Sequence, residues 1–362
     1  MKISKVPPVP LVNAVQRVRH HLLRLHQGLA PAPAAMAEFI TAAWMAQSIT
    51  VAADLRIADA LAEEPLGLDE LASRVECDPD ALSRLLRALI GRGIFKQLGD
   101  GRYDLTPLAQ TLRWDVPGSM AALASFIGSP QDREHWSHCV DAVRTGESVV
   151  PTLRGMDGFD WAASEPELSQ TFNQAMTNFS ELSVDPVTAA YDFTGYRTIV
   201  DVGGGHGRLL AGILSAAPTA KGVLFDLPHV VAGAEPMLRK HHVADRVRIA
   251  GGSFFDSVPG GGDLYVLKNI VHDWPDDRAQ QILKTVRAAT RDGATLLLVE
   301  CVMPQHDRDF LAKWMDLGML VDNTGRERTG DEYQNLLQQT GFHMVCVVPT
   351  ASPFSIVKAR AA

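Results

Sequence analysis

A chain of 362 residues, 46% apolar and 21% charged, is long enough for two globular domains with sizeable cores. Its net charge of −8 argues against general nucleic-acid binding, which needs a basic face to displace phosphate counterions. Four isolated cysteines (Cys77, Cys139, Cys301 and Cys346), no apolar run near the roughly 18 residues of a membrane span and no secretory leader pattern in Met1 to Pro10 give the expectation of a cytoplasmic protein with reduced thiols.

Residues 1–35 read as a flexible preface. Within it, Val12 to Leu25 carries Val15, Val18, Leu22 and Leu25 on one helical face, and Ala30 to Ala37 has the proline punctuation of a linker. Residues 36–115 form the next unit. Met36 to Ala62 has apolar residues at helical spacing, too many to face water all round, so this helix belongs in a core or against another subunit. Asp69-Glu70-Leu71-Ala72 begins a short helix. Asp78-Pro79 then caps a second, Ala81 to Gly91, whose apolar face is Leu82, Leu85, Leu86 and Leu89. Gly99-Asp100-Gly101 between two short apolar runs signals a hairpin. Two helices and a hairpin make a winged helix. Its second helix offers only Arg84, Arg87 and Arg92 in an acidic protein, so subunit contact is favoured over DNA binding. Residues 116–190 are a helical connector whose aromatics and methionines suit either plain core or an apolar substrate pocket.

From residue 191 the pattern changes to alternating strands and helices, which predicts a mostly parallel sheet wrapped by helices, an α/β fold. Seven strands are expected: Thr198 to Val202, Gly222 to Asp226, Val247 to Ala250, Leu264 to Leu267, Thr295 to Glu300, His343 to Val348 and Phe354 to Ala359. The link Pro349 to Pro353 is too short for a crossover helix, so the last pair should be antiparallel.

Between the first of these strands and its helix lies V-D-V-G-G-G-H-G, Val200 to Gly207. Gly203, Gly205 and Gly207 give G-x-G-x-G, and Arg208 stands where a dinucleotide fingerprint would have its last glycine. Asp201 ahead of the turn suits a ligand with a cation, such as the ammonium and sulfonium of S-adenosylmethionine, better than a pyrophosphate. A purely structural glycine turn is the bland alternative. Ligands of such sheets bind beyond the carboxyl ends of the strands. Those ends supply Asp226, Gly252-Ser253-Phe254-Phe255, Lys268 to Trp274 and Glu300, with Gly325-Arg326-Glu327-Arg328-Thr329 further on.

These motifs, in this order, resemble the S-adenosylmethionine-dependent O-methyltransferases of the caffeate and hydroxyneurosporene type, from about Met36 to the C-terminus. The resemblance implies a homodimer. Its N-terminal domain would be a winged-helix-like dimerisation domain, followed by a class I methyltransferase domain with a Rossmann-like seven-stranded sheet. It further implies that S-adenosylmethionine is held by Asp201, Gly203, Gly205, Asp226, Leu227, Ser253, Phe254, Lys268 and Ser180. His272 would be the general base, with Glu300 and Glu327 holding its ring. Phe172, Met176, Asp273, Met315 and Met319 would line the pocket for a hydroxylated aromatic substrate. Ser253 stands where the family commonly has aspartate, so it can hydrogen-bond adenine but brings no charge.

The chemistry fits these residue types. A phenol has a pKa near 10 and histidine near 6.5, so prior deprotonation of the acceptor is uphill. A neutral imidazole that takes the proton as the C–O bond forms avoids that step and contributes typically about 10²–10⁴-fold. No metal is required on this account, and no histidine–carboxylate cluster has clear metal-ligand spacing in the sequence. His272 also reads as a polar loop residue beside a helix cap, Glu300 as an arginine partner, and Glu327 as a surface ion pair between Arg326 and Arg328. Two rivals stay open: a cofactor-binding relative performing hydroxylation or decarboxylation, and a ligand-sensing winged-helix regulator.

Overall fold

The computed structural model describes residues 6–362, which form two compact units. One comprises His21–Ser137 and Phe159–Phe179; the other comprises the residues up to His20, His138–Gly158 and Ser180–Ala362. The stretch expected as one connector, 116–190, therefore contributes to both.

The first unit opens on helical chain. A helix Val9–Gly28 runs into it, and a second, Ala32–Asp54, starts directly after Pro31. The linker expected over Ala30 to Ala37 is thus helical from Ala32. Pro33 lies in the first turn, where no intrahelical N–H is required and proline is tolerated. Met36, Phe39, Ile40 and Trp44 remain exposed along this helix. Helix Leu68–Arg74 is followed by Pro79–Ile90, whose N-cap Asp78 accepts a hydrogen bond from the N–H of Ala81 at 2.8 Å. Strands β1 (Phe95–Gln97) and β2 (Tyr103–Leu105) then pair antiparallel around the Gly99–Gly101 turn. Leu71, Leu82, Leu86, Leu89, Phe95 and Tyr103 bury one core between the helices and the hairpin. This is the expected two-helix and hairpin arrangement.

The second unit holds a seven-stranded sheet. Its strands are β3 (Thr198–Val202), β4 (Lys221–Asp226), β5 (Val247–Gly251), β6 (Leu264–Lys268), β7 (Thr295–Glu300), β8 (Phe342–Pro349) and β9 (Ser355–Ala361). The spatial order is β5-β4-β3-β6-β7-β9-β8; the first five are parallel, and β9 is antiparallel to both its neighbours. Parallel strands covered on both faces read as continuous apolar runs, and β7 accordingly is buried at all six positions. The order reverses beside β3, flanked by β4 and β6, so the loops after these strands open at one edge of the sheet. Among the described residues no helix is long and apolar enough to cross a membrane.

Candidate active site

The loop after β3 is built for close approach. Gly203 has φ +70°, a left-handed conformation that favours glycine, and a Cβ there would push the Ile270 side chain aside, 2.4 Å from its Cδ1. Gly203 also lies against Phe254, whose Cε1 would be 3.6 Å from that Cβ. Register pairing of Val202 with Phe225 brings Asp226 beside the loop. One Asp226 oxygen accepts from the N–H of Gly205 (2.8 Å) and the other from that of Leu227 (2.7 Å). Each carboxylate oxygen keeps a lone pair for a further donor. Burial raises the pKa of Asp226.

Asp201, at the same edge, is buried, and its Oδ2 has no partner among the described residues. Burial, with the neighbouring Asp226, lifts its pKa to about 7. A buried carboxyl with one oxygen left over, beside a glycine turn, fits a cationic ligand. Lys268, at the end of β6, donates to Ser180 Oγ at 3.0 Å and lies 5.2 Å above the Phe354 ring. Burial pulls its pKa down to about 8, against the pull of Glu300 and Asp201. Ser253 Oγ accepts from the N–H of Phe255 at 3.2 Å.

His272 lies four residues beyond β6, in a single turn Val271–Asp273. The chain enters it through Asn269, which adopts φ +53°, a left-handed conformation that asparagine tolerates better than most residues. The imidazole is buried. Its Nδ1 lies 2.8 Å from Glu327 Oε1 and its Nε2 3.3 Å from Asp273 Oδ1. Glu300, at the adjoining end of β7, accepts from the N–H groups of Ile270 (3.3 Å) and Val271 (3.0 Å). Burial opposes protonation of His272, but the carboxylates of Asp273, Glu300 and Glu327 outweigh it and hold the ring pKa up at about 10. Burial also raises Glu300 to about 7 and Asp273 to about 6.

The alternative reading of Glu327 as a surface ion pair is overturned, since Glu327 is buried while Arg326 pairs with Glu332 and Arg328 with Asp276. The ring of His272 is far more basic than an ordinary histidine. Finally, ligand atoms of His272, Glu300 and Glu327 lie within 4.8 Å of one another, compact enough to hold a metal ion. Sequence spacing hides this cluster because its members come from three separate chain segments.

Of the other expected site residues, Met315 and Met319 lie on helix Leu311–Asp322, half-buried. The same helix carries Asp316, whose Oδ1 accepts the N–H of Glu327 at 2.9 Å. Phe172 and Met176 belong to the first unit, where the Phe172 ring stacks at a tilt 5.1 Å from Phe126. Residues not anticipated are Asp316, Asn269, Arg328 and Gly325. A Cβ on Gly325 would meet the carbonyl oxygen of His272 at 2.1 Å. The G-R-E-R-T motif pointed to this segment, but nothing in it distinguished the glycine or the second arginine.

Residues 37–113 match the family model of an O-methyltransferase dimerisation domain, and residues 136–343 that of an O-methyltransferase domain. The phenazine O-methyltransferase PhzM of Lysobacter antibioticus is 39% identical to this chain over 92% of it and 97% of the relative. Among solved structures, that of LaPhzM superposes with a TM-score of 0.88 at 39% identity, covering 92% of this chain and 100% of its own. An O-methyltransferase from neocarzinostatin biosynthesis, solved with S-adenosylmethionine and 2-hydroxy-5-methyl naphthoic acid, gives a TM-score of 0.74 at 32% identity, over 88% and 96% of the two chains.

Proposed function

We propose, since the chain belongs to the family of S-adenosylmethionine-dependent O-methyltransferases, that it methylates a phenolic or enolic hydroxyl of a small aromatic or polyketide-like metabolite with His272 as general base. Its sheet is that of a class I methyltransferase, and S-adenosylmethionine is the methyl donor. The observation that carries the base assignment is the division of labour on one imidazole. Nδ1 is engaged by Glu327, which leaves Nε2 as the atom that takes a proton.

The donor supplies an electrophilic methyl on a sulfonium. The ammonium of its methionine end suits the Asp201 oxygen that has no partner among the described residues, and its ribose hydroxyls suit Asp226, flanked by the Gly205 and Leu227 amides. Gly203 and Phe254, Ser253, and the Lys268–Ser180 pair complete the proposed binding set.

The acceptor hydroxyl gives its proton to Nε2 while its oxygen forms the C–O bond. The C–S bond breaks with its electron pair left on sulfur, and the imidazolium later releases the proton to water. The carboxylates around His272 bring its basicity to about 10, matched to a phenol, so the proton transfer is close to thermoneutral. Asp273, 3.3 Å from Nε2, is positioned to accept from a second donor group on the acceptor. Met315 and Met319, on helix Leu311–Asp322, are the proposed apolar wall.

The dimerisation-domain match and the exposed Met36, Phe39, Ile40 and Trp44 support a homodimer. A cytoplasmic place in secondary metabolism is part of the same reading. The test is incubation with methyl-labelled S-adenosylmethionine and a panel of hydroxylated aromatics, with His272→Ala in parallel. Transfer by the wild type and its loss in the variant are expected. Robust transfer by the variant removes the base assignment, and failure of the wild type to bind the donor removes the whole reading.

A further inference from the structure

Arg328 is 1% exposed, a long cation taken out of water by the loop that follows helix Leu311–Asp322. Such burial is costly unless every N–H is satisfied. Here the guanidinium reaches across to the His272 turn. Its Nη1 donates to the carbonyl of Val271 (2.8 Å), and its Nη2 to that of Trp274 (2.9 Å). Nε and Nη2 both donate to Asp276 Oδ1, at 3.0 and 2.7 Å. Val271 and Trp274 bracket His272 and Asp273 in the chain. The contact is reinforced by backbone: Arg326 donates its N–H to the His272 carbonyl at 2.8 Å, and the Arg328 carbonyl accepts from Met303 at 2.9 Å, just past β7. The side chain and backbone of this one residue thus tie together the segments that carry His272, Glu300 and Glu327.

We propose that Arg328 and Asp276 form a positioning clamp that holds the His272 turn against the Glu327 loop and so fixes the direction of the imidazole. The inference rests on the reading of His272 as base. A planar fork of five N–H groups spans two carbonyls and a carboxylate at once. A lysine ammonium offers three donors from one point and cannot bridge the same three acceptors. Asp276 aims the fork from the outer side. Its side chain is 61% exposed, so its removal leaves no buried void. Neither residue touches the reacting atoms. Their effect passes through the 2.8 Å bond between His272 and Glu327.

The test reads that bond directly in the full-length protein labelled with ¹⁵N-histidine. A buried Nδ1–H held by a carboxylate gives a far-downfield proton, assigned by its loss in His272→Ala. Arg328→Lys and Asp276→Ala are expected to move this resonance upfield or broaden it away. Asp276→Asn, which keeps an acceptor oxygen, is expected to preserve it. Melting temperatures identify folded variants, and if Arg328→Lys fails to fold, Asp276→Ala alone decides. A resonance unmoved in folded Asp276→Ala overturns the clamp, as does its absence from the wild type. Turnover adds a second reading. Asp276→Ala is expected to lower kcat about tenfold, within the cost of misplacing a reacting group, with KM for S-adenosylmethionine unchanged. In a Glu327→Gln background the same change is expected to add little, whereas a merely structural role lowers kcat equally in both backgrounds. Full turnover by His272→Ala removes the base reading itself and leaves the spectroscopic result standing separately.

Discussion

His272 and Glu327 are 55 positions apart in the chain and 2.8 Å apart in space, both buried. A carboxylate at that distance does two things to an imidazole. It fixes which nitrogen carries a proton, and it stabilises the imidazolium that forms when the other nitrogen accepts one. Glu327→Gln keeps an acceptor oxygen at the same place and removes only the charge. The expected result is a fall in kcat of about 10²-fold, at the lower end of what a general base contributes, with donor affinity unchanged. Single-turnover transfer at saturating donor measures it.

The same charges set opposite pH dependences for activity and stability. His272 is raised to about 10, so at neutral pH the free enzyme holds an imidazolium, which cannot accept a proton. The expected kcat/KM therefore climbs with pH between 7 and 9 with a slope near one proton. Stability runs the other way. A histidine raised in the folded state contributes stability that is complete below the ordinary value near 6.5 and is lost as pH rises through about 10. Glu300, raised to about 7 by burial, likewise favours the folded state at lower pH, because the folded chain holds its proton where the unfolded chain has released it. The melting temperature is expected to fall from pH 6 to pH 10 while turnover rises. In His272→Ala the alkaline part of that fall, above pH 7, should shrink.

Asp201 predicts the pH dependence of donor binding. One oxygen of its carboxyl has no partner among the described residues, burial raises its pKa to about 7, and a cationic ligand favours its ionised form. Affinity for S-adenosylmethionine is expected to strengthen as pH rises through 7 and to level off above it. Asp201→Asn should weaken binding at least about tenfold and flatten that dependence, the loss of one buried charge-assisted contact. Calorimetric titration from pH 6 to 8.5 checks both.

The parts of this site that were legible in the sequence are those that local chain physics writes down. A glycine turn between an apolar strand and a helix, acids at strand ends, and a short β8–β9 link each carry their geometry in adjacent residues. The sheet, and the placing of Gly203 to Gly207, Asp226, Lys268 and Glu300 at or just beyond the carboxyl ends of its strands, were readable for that reason, whereas the approach of Glu300 and Glu327 to His272 came from the family resemblance alone. What was not readable depends on contacts between distant segments. Arg328 and Arg326 are two positions apart in one motif, yet one is buried against Val271 and Trp274 and the other pairs with Glu332 at the surface. Asp316 looks like any acid on a helix until Glu327 is folded onto it. The basicity of His272 is likewise a product of three carboxylates gathered by tertiary structure, and composition carries no trace of it.

That gathering also predicts how the enzyme responds to metals. The His272, Glu300 and Glu327 ligand atoms fit within 4.8 Å, and Glu300 Oε2 and Glu327 Oε2 are buried without partners among the described residues. A zinc ion bonds histidine nitrogen and carboxylate oxygen at about 2.0–2.2 Å, and Nδ1 is the nitrogen that faces Glu327. An ion on Nδ1 needs the lone pair there, so the ring proton moves to Nε2 and that atom can no longer accept one from a substrate. On the proposed mechanism metal is an inhibitor and not a participant. Chelation is expected to leave methyl transfer unchanged. Added zinc is expected to lower it, more strongly as pH rises, because ion and proton compete for one nitrogen. Glu327→Gln should lessen the inhibition. Loss of activity on chelation, restored by a divalent cation, is the result that would require a metal-assisted reaction instead.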